Sequence, residues 1–208
     1  MKKKKLTRSF YTQPTLKVAK DLLGKYIVRQ INNKKLEGKI IETEAYIGPR
    51  DKASHAYGGK ITPRNKAEYL IGGHIYIYLV YGIYWQLNIT TSQAAKPECV
   101  LIRALDLGKL ADGPGKVCQY LKLDKSFYGE DLTKSKKIWL EDRGEKIETS
   151  QIVATKRIGI DYAGPYWSRR KWRFVLKNNT TIKIASLKTN KKKLKIFTAK
   201  NEAPTGKR

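Results

Sequence analysis

The chain is poor in metal-ligating and redox-active side chains: 208 residues hold two histidines (His55 and His74), two cysteines (Cys99 and Cys118) and one methionine. A zinc site needs a closely spaced set of N and S ligands, and neither a CxxC pair nor an HExxH pattern occurs. No catalytic metal and no other cofactor is therefore expected. The two cysteines lie in an apolar run and in a helical stretch, and read as buried free thiols rather than a disulfide framework. Long apolar runs are missing too. The most apolar stretch, Ile75 to Trp85, is too short to cross a bilayer and is interrupted by Gly82 and by tyrosine hydroxyls. Behind the basic start Met1-Lys2-Lys3-Lys4-Lys5, the segment Leu6-Thr7-Arg8-Ser9-Phe10 offers no apolar stretch of the kind a secretory leader needs. With no amphipathic membrane helix and no lipidation signal, the chain is expected to be cytoplasmic, without a membrane partner. The last shortage is acidic: 18 Asp and Glu stand against 44 Lys and Arg, a formal charge of +26. Such a surplus repels itself unless a polyanion relieves it, and nucleic acid is the first candidate.

What is present suits one mixed domain. A hydrophobic content of 40% in a chain of this length supports a single core. Lys2 to Lys5 and Arg8 form a basic arm (residues 1–9), either a solvated tail or a DNA contact, with ordered structure expected from Phe10-Tyr11 onward. Leu16, Ala19, Leu22 and Leu23 recur at helical spacing between Pro14 and Gly24. Lys25 to Ile31 and Leu36 to Tyr46 read as a hairpin across the turn Asn32-Asn33-Lys34. Alternation along the second strand puts Glu42, Glu44 and Tyr46 on one face. A polar loop carries His55, and a short basic helix is expected over Pro63 to Ile71, capped by Thr62 and carrying Arg64 and Lys66. Ile75–Tyr81 and Tyr84–Thr91 read as a tyrosine-rich hairpin turning at Gly82, followed by a strand Cys99–Leu105 with Arg103 in it. Gly113-Pro114-Gly115-Lys116 opens a helix whose free amides suit a phosphate, although the Walker spacing fails. Ile138–Leu140, Ile152–Ile160 and Trp172–Leu176 read as further strands. The lysine-rich segment 178–208 reads as a tail ordered only on a polyanion. The fold class expected is α+β: one antiparallel sheet with short helices.

The stretches Gly38-Lys39-Ile40-Ile41-Glu42-Thr43-Glu44-Ala45-Tyr46 and Asp51-Lys52-Ala53-Ser54-His55 closely resemble the alkyladenine type of 3-methyladenine DNA glycosylase, the methylpurine DNA glycosylase family. Thr62-Pro63-Arg64-Asn65, Tyr76-Ile77-Tyr78, Tyr81-Gly82, Leu87-Asn88, Val100 through Leu105, Gly113 through Gln119 and Trp172-Arg173-Phe174 continue the likeness in order, from Phe10 to Val175. The resemblance implies a single glycosylase domain (residues 10–177) around a curved antiparallel sheet, with the tyrosine hairpin protruding into the DNA minor groove. It further implies a repair enzyme that hydrolyses the N-glycosidic bond of damaged purines in double-stranded DNA; a monomer suffices to flip one base, and the enzyme is expected in the cytoplasm, associated with the nucleoid. Because C1′ is inaccessible in a duplex, the nucleotide must first be flipped out.

By the same resemblance Glu44 is the general base that activates a water; its neighbour Glu42 reads as a supporting or surface carboxylate. Tyr46, His55 and Tyr78 sandwich the flipped base, and Tyr81 is the wedge that fills the gap it leaves. Asn88 crowds the exocyclic amino group of guanine, Arg103 holds the nucleotide and its phosphate, and Arg64 and Lys116 contact the DNA backbone. Each residue has an ordinary structural role open to it as well: Tyr78 as core, His55 as a loop hydrogen bond, Asn88 pairing backbone, Arg103 neutralising Glu42 or Asp106. Trp85-Gln86 and Arg50 depart from the family pattern and leave the range of lesions open. Two rival readings use the same basic surface, a non-catalytic DNA or RNA binder and a ribosome-associated protein.

Overall fold

Strand β3 organises the molecule. The computed structural model describes residues 3–108 and 110–177, and the expected tail 178–208 lies outside them. β3 (Lys34–Ile47) is rich in β-branched residues and long enough to serve three partners, all antiparallel. Its first half pairs with β2 (Tyr26–Ile31) across the turn at Asn32, and its second half pairs on one side with β6 (Glu98–Asp106) and on the other with β10 (Arg173–Leu176). A register shift around Glu42 interrupts the β3–β6 ladder. Such a bulge bends a strand and re-aims its side chains, and this one falls at the expected catalytic carboxylates.

The sheet runs β1–β8–β2–β3–β6–β5–β4. Here β1 is Lys4–Lys5, β4 is Ile75–Val80, β5 is Tyr84–Thr90 and β8 is Ile138–Asp142. β7 (Leu110–Asp112) adds to β6, and β9 (Ile152–Thr155) adds to β10. The fold is α+β, as expected, with four short α-helices among the described residues: α1 (Arg8–Tyr11), α2 (Thr15–Asp21), α3 (Pro114–Leu121) and α4 (Pro165–Ser168). Ile27, Ile40, Ile41, Leu87, Ile89, Ile102 and Leu105 are fully buried and form much of the core. The Thr43 hydroxyl donates to the Ala19 carbonyl at 2.7 Å, fastening α2 to one face of β3. The alternate residues Glu42, Glu44 and Tyr46 are thereby left to the other face.

Three expectations need correction. The basic arm is not a free tail from residue 3 on: Lys4 and Lys5 pair with Asp142 and Glu141, and Arg8 bonds Asp131 at 2.6 Å and Thr133 at 3.0 Å. Order therefore begins before Phe10, because backbone pairing and these ion pairs supply what apolar content does not. The helix over Pro63–Ile71 does not form; a turn leads into a single 3-10 turn, Lys66–Tyr69. The Tyr128 hydroxyl accepts from Ala67 N at 2.9 Å and lies 3.2 Å from the Pro63 carbonyl, occupying the groups an α-helical bond would have joined. The strand expected over Ile152–Ile160 ends at Thr155. Residues 156–160 instead leave the sheet and deliver Arg157 and Ile158 to the site described next.

Candidate active site

Alternation on β3 and the pairing of β6 alongside it bring four charged groups together. Arg103 of β6 donates from Nε to Glu42 Oε1 at 3.0 Å, and its Nη1 lies 3.5 Å from Glu44 Oε1. Arg173 of β10 donates to the same Glu42 oxygen at 2.8 Å. Two buried carboxylates thus face two guanidiniums, which is the pairing burial demands. Glu42 is a supporting carboxylate, spent on its two arginines.

Glu44 has no exposed side-chain surface. Its Oε1 accepts from Ile158 N at 2.9 Å, and its Oε2 accepts from the Tyr46 hydroxyl at 2.8 Å. A carboxylate has about four acceptor positions, so these partners orient it without saturating it. Burial first, and then the charge of Glu44, push the Tyr46 phenol far above its ordinary range, so it remains a donor. The Tyr46 ring is held in turn by Arg157, whose guanidinium carbon lies 4.7 Å from the ring centroid and 5.1 Å from that of Trp172. Arg157 also donates to the Ala45 carbonyl at 3.0 Å and makes a two-point ion pair with Asp51, in which neither side chain is exposed.

Above this charged floor lies a cleft of about 500 Å³ lined by Tyr46, His55, Tyr78, Asn88 and Arg103, with Arg64 and Tyr81 at its edge. That volume is in the range of small-molecule sites. Glu44 is not part of the lining; it sits beneath, reaching the cleft through Tyr46 and Arg103. His55 and Tyr78 meet edge to face with centroids 4.6 Å apart, so they form one wall rather than two opposing faces. His55 Nδ1 is 2.6 Å from the Tyr76 hydroxyl. Burial, helped by the charge of Arg64, lowers its pKa to about 4, and the ring is neutral at ordinary pH. Arg64 is exposed, with its guanidinium over the Tyr78 ring at 5.3 Å. The hydrogen bonds of Asn88 run to Gln86 O and Cys99, the structural role left open for it. Gln86 lines the cleft, whereas Trp85 borders a separate groove.

The hairpin β4–β5 carries Tyr81 at its tip, 90% exposed, with Ile83 beside it at 67%. Tyr81 and Gly82 both have positive φ (52° and 70°), and Ile83 N closes the turn on Val80 O at 3.2 Å. This left-handed pair matches the twist of a hairpin. Glycine accepts it freely, but a tyrosine is strained by roughly 1 kcal/mol or more. Lys116 is exposed on the first turn of α3, whose Pro114 lines the cleft, but Lys116 itself does not.

Sequence reading missed Arg157, which looked like part of a strand; Tyr76, behind His55; and Glu68, buried among the cleft residues.

A family model for methylpurine-DNA glycosylase matches residues 9–180. Among curated proteins, relatives provisionally named 3-methyladenine DNA glycosylase are similar over most of the chain. One from Natranaerobius thermophilus is 38% identical over 198 residues, covering 86% of this chain and 99% of its own. One from Clostridium novyi is 44% identical over 200 residues, covering 85% and 96%. One from Borreliella burgdorferi is 40% identical over 182 residues, covering 84% and 97%. The identity, its span and the family match agree, and the chain belongs to the methylpurine-DNA glycosylase family.

Proposed function

We propose that this DNA glycosylase acts as a monomer on double-stranded DNA in the cytoplasm, at the nucleoid, turning a damaged purine into the cleft and hydrolysing its N-glycosidic bond. The observation that carries the reading is the stacking of two layers: an aromatic cleft of suitable volume over a buried, oriented carboxylate. The substrates are 3-methyladenine, 7-methylguanine, hypoxanthine and etheno-adenine. The purine lies between Tyr46 on one side and the His55–Tyr78 wall on the other, and an alkylated, cationic base gains further from the electron-rich ring faces. Asn88 tests the exocyclic edge of the base.

In the chemical step a water bound at Glu44 attacks C1′. The new bond is O–C1′; the C1′–N bond breaks and its electron pair leaves with the purine. The water's proton passes to Glu44, and the carboxylate also stabilises the positive charge that develops on the sugar. Arg103 keeps Glu44 aligned while it faces the cleft and the incoming nucleotide. Arg64 and Lys116 contact DNA phosphates. The test is incubation with a duplex bearing one such purine. Free base should appear together with an alkali-labile site in a strand that stays intact before alkali; absence of free base contradicts the reading.

Tyr81 is the wedge. Unstacking a nucleotide costs a few kcal/mol, and a side chain inserted into the gap offsets part of it. In Tyr81→Ala the single-turnover release rate should fall by on the order of tenfold or more. The fold should be unchanged, since Tyr81 packs against almost nothing. Reactivity of the base opposite the lesion toward permanganate, a probe of unstacked thymine, should fall in parallel. An unchanged rate would remove Tyr81 from this role.

A further inference from the structure

Glu68 is the one buried carboxylate of the cleft that the proposed mechanism does not use. It lies on the 3-10 turn Lys66–Tyr69, is 1% exposed, and lines the same cleft as His55 and Tyr78. Its Oε2 accepts from the Ser54 hydroxyl at 3.4 Å and the Tyr76 hydroxyl acts on the same carboxyl, but Oε1 makes no hydrogen bond among the described residues. A buried carboxyl oxygen without a partner is costly in either protonation state, and groups left so are satisfied by a ligand or tolerated for function. Every other acid in this region is committed: Glu42 and Glu44 to Arg103, Asp51 to Arg157.

Resting on the proposed function, we propose that Glu68 is a specificity-determining residue of the base pocket, whose protonated carboxyl donates from Oε1 to an acceptor on the edge of an uncharged, deaminated purine. Along its O6–N7 edge hypoxanthine presents a carbonyl oxygen and a ring nitrogen, both acceptors; its N1 carries a proton and lies outside that edge. A carboxylic acid pairs with such an edge, whereas an ionised carboxylate repels it. A cationic alkylated purine, held through its charge, does not depend on this bond.

The surroundings suit that state. The groups facing Glu68 are Ser54 from the loop after β3, Tyr69 on the same turn, Tyr76 and Tyr78 from β4, Cys99 from β6 and Tyr128, with His55 bonded to Tyr76 behind them and the Arg64 charge acting on both His55 and Tyr76. His55 is neutral, and burial holds the Cys99 thiol and the Tyr76 phenol protonated. Burial raises Glu68 from the carboxylate range to about 7, although the hydroxyls of Tyr76 and Ser54 pull the other way. A raised acid is protonated below that value and ionised above it, so the donor is present on the acid side and lost as pH rises through about 7.

The test is single-turnover release of hypoxanthine and of 3-methyladenine from duplex DNA, read as the ratio of the two rates so that titration of groups common to both reactions cancels. In the wild type the ratio should fall on the order of tenfold or more between about pH 6 and about pH 8.5. Glu68→Gln keeps a donor but cannot ionise, and its ratio should be flat with pH. Glu68→Leu should have a low ratio throughout. Glu68→Gln following the wild-type profile, or Glu68→Leu keeping the wild-type ratio, overturns the inference and leaves the proposed function standing. Release of neither base by the wild type overturns both.

Discussion

Arg157→Met is expected to lower the free energy of unfolding by about 3–5 kcal/mol, the range for breaking one side of a buried ion pair. Neither Arg157 nor Asp51 has exposed side-chain surface, so Asp51 would be left charged and unpaired in the interior. For a domain of this size the melting temperature should drop by on the order of 10 °C. Thermal melts of the single variant and of Asp51→Leu/Arg157→Met separate the pair from the volume change. The double variant should recover a large part of the loss, because removing both charges is far less damaging than removing one. Equal losses in the single and double variants would show that packing, not charge, holds this corner. The effect should reach the chemistry as well. Arg157 supports the Tyr46 ring and precedes Ile158, whose amide orients Glu44, so small displacements there act on the reacting geometry.

Glu44→Gln is expected to slow base release by roughly 10²–10⁴-fold, the range for loss of a positioned general base. Glutamine has nearly the same shape; its carbonyl oxygen still accepts from the Ile158 amide, and its NH2 group donates to the Tyr46 oxygen once that hydroxyl turns away. Arg103 keeps Glu42 as its partner, so no guanidinium is stranded. The variant should therefore fold and bind damaged DNA while failing to hydrolyse it. Single-turnover rates and equilibrium binding measured on the same duplex check this. A rate within a few-fold of the wild type would transfer the base role to another group, and loss of binding together with rate would make Glu44 a structural residue.

The legible parts of the fold were those whose signals are local. The apolar spacing of α2 between Pro14 and Gly24, the turn at Asn32 and the turn at Gly82 each lie within a few residues of what they determine. Expectations failed where a distant side chain decides. Tyr128 takes the backbone groups that would have made a helix of Pro63–Ile71, and Asp51 draws Arg157 inward and so stops β9 at Thr155. The arm fails similarly, since Arg8 is fixed by Asp131, 123 residues along the chain. Alternation put Glu42, Glu44 and Tyr46 on one face, and the resemblance added His55, Tyr78, Asn88 and Arg103, which the structure gathers around one cleft. Nothing local distinguishes Glu68 from a solvated helical glutamate, because its burial comes from strands β4 and β6 lying against it.

The most direct measurement is the structure of Glu44→Gln bound to a duplex containing hypoxanthine, a complex the slowed chemistry should allow to persist. The purine is expected in the cleft, between Tyr46 and the His55–Tyr78 wall, with its C1′ toward residue 44 and Tyr81 occupying the gap in the base stack. A purine still stacked in the helix, or DNA lying across a face remote from the β4–β5 hairpin, would contradict the proposed site.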